Sequence, residues 1–86
     1  AYELSETYHR KSLALKLAQY KGTHPYVAKS YFNLGALYIL QERYKEAKTF
    51  MNACLEMRLD LGMVDGADLS NAYYKLGLIA FINILT

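Results

Sequence analysis

The sequence predicts an all-α fold of four helices, arranged as antiparallel hairpins stacked into a solenoid, and three observations carry the prediction. The chain matches itself when displaced by 42 residues: Tyr31-x-x-Leu34-Gly35-x-x-Tyr38 returns as Tyr73-x-x-Leu76-Gly77-x-x-Ala80. Tyr2, Thr7, Leu13 and Leu17 likewise return as Tyr44, Thr49, Leu55 and Leu59, and Tyr8 falls on Phe50. A fixed period of this size marks stacked units, none of which buries its apolar face until a neighbour covers it. Apolar residues also recur at helical spacing. Finally, short polar or glycine-containing breaks divide the periodic stretches, and no proline falls inside one.

The first helix is expected from about Tyr2 to Tyr20, with Leu4, Tyr8 and Leu15 and the small Ser5 and Ser12 at helical spacing. Lys21-Gly22-Thr23-His24-Pro25 ends it. Gly22 can adopt the left-handed conformation beyond a helix end, Pro25 is pre-set for a first helical turn, and Thr23 or His24 can cap the helix that follows. That second helix, about Pro25 to Leu40, turns Val27, Tyr31, Leu34, Gly35 and Tyr38 inward. Gln41 to Arg43 is a turn short enough to send the third helix, about Arg43 to Leu61, back antiparallel, with Ala47, Phe50, Met51 and Cys54 facing its partner. Gly62 to Ala67 is the next break. Asp65 can cap the fourth helix there, which runs from about Asp68 to Leu85 and is expected to leave Ile79 and Ile82 on an open side.

Composition narrows the function. The 86 residues suffice for one small domain with a limited core, and the chain is expected to be a segment of a longer array. Ten basic residues are scattered without a stripe, and the net charge is only +2, so no nucleic-acid partner is expected. The apolar stretch from Leu76 to Leu85 is too short to span a bilayer, and no signal peptide is visible, so no membrane partner is expected either. Cys54 stands alone, which excludes an intrachain disulfide and leans toward a reducing, cytoplasmic location. His9 and His24 lie on different segments without a ligand partner at metal spacing. Ser5, Ser12, Ser30 and Ser70 sit within helices rather than on a strained turn, and no glycine-rich phosphate loop is present. No metal, no cofactor and no enzymatic activity are therefore expected.

Tyr31, Leu34, Gly35 and Tyr38 of the second helix, with Ala47, Met51 and Cys54 of the third, resemble the tetratricopeptide repeat pattern of Trp-x-x-Leu-Gly-x-x-Tyr followed by Ala-x-x-x-Phe. The 42-residue spacing and the Thr23-His24-Pro25-x-Val27-Ala28 opening are similar to the longer-helix repeats of kinesin light chains and many bacterial regulatory proteins. Departures are visible: Tyr31 and Tyr73 replace Trp, Ala80 replaces the second Tyr, and Ser5, His9 and Ser12 stand where the family has Ala, Phe and Ala. The resemblance implies a right-handed α-solenoid. It divides the chain into the second helix of an incomplete repeat (1–22), one complete repeat (23–64) and the first helix of a following repeat (65–86).

In this family the first helix of each repeat lines a concave face on which partner peptides lie. The resemblance therefore implies a protein-interaction module, a scaffold or adaptor that binds an extended peptide on helices two and four. The outward positions are Lys29, Phe32, Asn33 and Ala36, and their equivalents Asn71, Tyr74, Lys75 and Leu78. Asn33 offers a donor and an acceptor to a peptide backbone, and Lys29 and Lys75 favour an acidic or carboxylate group. Phe32 and Tyr74 supply rigid apolar area, or else pack against the next repeat. Asn33 and Lys75 match positions used by family members that clamp a terminal carboxylate, whereas a lysine at the position of Asn71 is missing. The alternatives are a self-association element that completes the solenoid through its terminal helices as a homo-oligomer, and the sensor part of an intracellular regulatory protein.

Overall fold

His24 and Pro25 start the second helix as the sequence predicts. The His24 Nδ1 accepts a 3.2 Å hydrogen bond from the Tyr26 N–H, and Pro25 occupies the first turn, where its missing N–H costs nothing. The computed structural model describes residues 2–22, 24–62 and 67–85, which form α1 (Tyr2–Gln19), α2 (Pro25–Leu40), α3 (Tyr44–Asp60) and α4 (Ala67–Leu85). Gly22 takes the left-handed conformation, φ +79°, just past α1. Thr23 and Asp65, both considered as caps, lie outside the described residues.

The α2–α3 connection is a tight helix-ending motif. The Glu42 N–H donates to the Ile39 carbonyl and the Arg43 N–H to the Tyr38 carbonyl, with Glu42 at φ +59°. Glycine usually takes that left-handed position, and an L-residue there costs about 1–2 kcal/mol. Gly62 fills the corresponding place after α3, at φ +73°. The turn reverses the chain so that α2 and α3 lie against each other as a hairpin. Gly35 is what allows the close approach: a Cβ built there would lie 2.8 Å from Met51 Cε and 3.0 Å from its Cγ. Leu34, Tyr38, Ala47, Met51 and Cys54 are fully buried, and the Phe50 ring stacks on Tyr38 with centroids 5.5 Å apart. The inward faces expected of both helices are thus the ones that meet.

The fourth helix extends the stack. Leu69 and Ala72 join Leu55 of α3 in a second apolar cluster, against which Phe32 and Leu76 pack, and α4 also meets α2 directly. Ile79 belongs to the first cluster with Leu34, Tyr38 and Ala47. Its expected place on an open side is therefore corrected: one helical turn of α4 reaches back over the hairpin, and Ile79 fills the gap there.

The first helix departs most from expectation. Leu4, Tyr8 and Leu15 are exposed, and α1 has no fully buried residue. The partly covered face carries Glu6, His9, Ser12, Leu13 and Lys16. This face is mainly polar because it answers polar groups on the hairpin. Lys16 Nζ donates to the Ser30 hydroxyl at 3.3 Å, and the Tyr38 hydroxyl donates to Glu6 Oε2 at 2.9 Å. Arg10 donates to the same Tyr38 oxygen, Arg43 Nη1 lies 2.9 Å from Glu6 Oε1, and the Arg43 guanidinium lies 4.4 Å above the Tyr38 ring and pairs with Glu46. Glu6 is the hub. The Tyr38 hydroxyl first, then Arg10 and Arg43, hold its carboxyl below the ordinary range against the opposing effect of burial.

A depressed carboxylate stabilises the fold above its unfolded pKa, about 4.3 for glutamate, and that contribution disappears as pH falls through the lower folded value. Acid should therefore loosen α1 first, since no buried apolar residue retains it. Amide exchange should show α1 losing protection below about pH 4 before α2 or α3 does. Glu6→Gln should lose that α1 protection at neutral pH as well. Equal protection of α1 in both proteins at pH 7 would remove Glu6 as the tether.

Candidate functional site

On α2, the positions opposite the hairpin core are Lys29, Phe32, Asn33 and Ala36. Helical spacing places them on one stripe, away from Tyr31, Leu34 and Tyr38, which α3 covers. Lys29 is exposed, while Asn33 and Ala36 are half-buried. On α4 the equivalent stripe has Asn71 and Tyr74 exposed and Lys75 and Leu78 half-buried. All eight of these residues are described, and α4 approaches α2 directly.

Their roles differ once placed. Phe32 packs against the cluster of Leu55, Leu69 and Ala72, so its ring joins α2 to the following helix and only its remaining surface faces outward. Tyr74 is 66% exposed and is the large aromatic surface of the pair. Lys29, Asn33, Asn71 and Lys75 make no side-chain hydrogen bond or ion pair with another described residue. Two ammonium groups and two carboxamides thus stand unengaged on a stripe whose eight members include no carboxylate. Chemically this offers donors to carbonyl or carboxylate oxygens, acceptors to peptide N–H groups, and one aromatic face for apolar contact.

The remaining chemistry-bearing residues serve the fold. Ser30 is buried, donating to the Tyr26 carbonyl at 3.1 Å while accepting from Lys16. Cys54 is fully buried beside the Arg58 Nε, 3.3 Å away. His24 stacks on Tyr20, centroids 3.8 Å apart, in the α1–α2 turn. Among the described residues no group of three or more His, Cys, Asp or Glu side chains could hold a metal ion, and no helix is long and apolar enough to cross a membrane. Sequence reasoning missed the Glu6, Arg10, Tyr38 and Arg43 cluster. Only the i, i+4 spacing of Glu6 and Arg10 hinted at it.

A family model described as tetratricopeptide repeat matches residues 1–60, which take in α1, α2 and α3. No curated protein and no solved structure matches the chain.

Proposed function

This chain belongs to the tetratricopeptide repeat family, and from that premise we propose that it is a scaffold or adaptor module that binds an extended, acidic peptide segment across α2 and α4. The family's general role is protein–protein interaction. The observation that carries the finer reading is the unengaged set of Lys29, Asn33, Asn71 and Lys75 beside the exposed ring of Tyr74. An extended peptide lying there presents alternating N–H and C=O groups to the carboxamides, and its carboxylates to the two lysines. Residues 23–64 form the complete repeat in this reading, with 1–22 and 65–86 as the flanking half-repeats. The segment acts by binding rather than by catalysis, without a cofactor, in the cytoplasm.

The test is fluorescence anisotropy with a labelled extended peptide bearing several aspartates and a free C-terminal carboxylate. Asn33→Ala combined with Lys75→Ala should weaken binding about tenfold or more, because hydrogen bonds to charged groups contribute about 1.5–3 kcal/mol each. Helicity and Tm should stay unchanged, since neither side chain supports the fold. Binding to this peptide that is equally tight in the double variant would discard the site.

A further inference from the structure

Lys29 is the only charged residue of α2, and Lys75 is the only basic residue of α4. No acidic residue lies one helical turn from either, so neither ammonium has a helical ion pair to engage it. We propose that these two isolated cations read the spacing of acidic side chains, and that the segment bound there carries carboxylates at positions i and i+4 of an extended chain. This selectivity rests on the peptide-binding reading above and narrows it to a spacing.

The spacing comes from how the two helices run. Phe32 packs against the cluster that holds Leu69 and Ala72, while Leu34 and Tyr38, further along α2, share a cluster with Ile79, further along α4. The fourth helix therefore advances in the same direction as α2, in the register of the 42-residue shift. In that register Lys29 stands level with Asn71, and Asn33 with Lys75. The lysines occupy one pair of opposite corners and the carboxamides the other. One turn of helix rises about 6 Å and helices in contact lie about 8–10 Å apart, so the diagonal between the lysine positions is about 10–12 Å. An extended chain advances about 3.3 Å per residue and sends alternate side chains to opposite faces, so side chains on one face are about 6.6 or 13 Å apart. The i+4 pair fits, because the flexible lysine stems take up the small excess. The i+2 pair falls short by about 3–5 Å and leaves one ammonium unmet. Asn33 and Asn71 flank the middle of the segment, where their carboxamides face its backbone N–H and C=O groups.

Fluorescence anisotropy tests this with short labelled peptides of serine, threonine and valine. Each carries two aspartates and is blocked by acetyl and amide groups, so that no terminal carboxylate takes part. The i, i+4 peptide should bind about three- to tenfold more tightly than the i, i+2 and i, i+6 peptides of the same composition. Asn33→Lys combined with Lys75→Asn keeps the net charge and brings both ammoniums onto α2, one turn or about 6 Å apart. Its preference should move to the i, i+2 peptide. Lys29→Asn combined with Asn71→Lys makes the equivalent pair on α4 and carries the same expectation if the first variant fails to fold. Equal affinities across the series, or a preference that stays at i, i+4 in the rearranged proteins, overturn the spacing rule and leave the peptide site standing. The aspartate-bearing peptide with a free C-terminus reports on that site separately. If it binds and none of the blocked series does, the spacing rule alone falls; if it too fails to bind, the site falls with the rule.

Discussion

Gly35→Leu should destabilise the chain severely, while Gly77→Leu, the same change 42 residues on, should be neutral or slightly stabilising. Both glycines lie in helix interiors, so by backbone propensity alone each gains about 1 kcal/mol on replacement. The surroundings decide the sign. At Gly35 the added atoms meet Met51 at 2.8 Å, in a hairpin whose facing residues Leu34, Ala47 and Cys54 are fully buried and have nowhere to retreat. Overpacking of this kind costs roughly 1–3 kcal/mol, a large share of the stability of a domain this small. Set against the propensity gain, the net loss is up to about 2 kcal/mol, and Tm should fall by up to about 16 °C. At Gly77 nothing lies within 4 Å of the new Cβ. Thermal melts of both variants, at a concentration where the chain is monomeric, check the contrast. Equal destabilisation by the two changes would mean that the α4 face is already covered.

Tyr38→Ala should cost about 3–5 kcal/mol, the range for deleting a buried aromatic ring. The ring is fully buried, touches Phe50 and lies under Arg43, and its hydroxyl joins Glu6 and Arg10. Tyr38→Phe separates the two contributions. It keeps the packed ring and should cost only about 0.5–1.5 kcal/mol, the net value of a typical hydrogen bond. The same change should raise the Glu6 carboxyl toward its ordinary pKa, because the Tyr38 hydroxyl is the largest cause of its depression. Denaturant melts give the energies, and carboxyl NMR titration gives the shift. If Tyr38→Phe proved as damaging as Tyr38→Ala, the hydroxyl network rather than the ring would be holding α2 in place.

The hairpin was legible in the sequence because its determinants are local or steric. Gly22 and Pro25 fix one boundary, and Gly35, Ala47 and Cys54 announce by their size where two helices approach. The first helix was not legible in the same way. Its apolar residues Leu4, Tyr8 and Leu15 suggested an inward stripe, yet its contact with α2 runs through Glu6 and Lys16, whose partners Tyr38, Arg43 and Ser30 lie far along the chain. Periodicity registers apolar burial and is blind to a polar group that is covered because another polar group answers it. The candidate site divides similarly. The 42-residue register assigned all eight residues to equivalent stripes of two helices, but it could not say that Phe32 would pack against the cluster of Leu55, Leu69 and Ala72 while Tyr74 remained open. Which aromatic side chain is left for a ligand depends on how the stack closes.

The outward stripe of α2 and α4 is proposed to receive a peptide. Amide chemical-shift mapping of the 15N-labelled chain, titrated with the aspartate-bearing peptide, tests it most directly. Saturable shifts should gather at Lys29, Asn33, Asn71, Tyr74 and Lys75, and the α1 residues Leu4 and Tyr8 should stay still. Shifts gathered instead at Tyr8, Tyr73 and Gly77, or no shifts at any peptide concentration, would rule out this stripe as the peptide site.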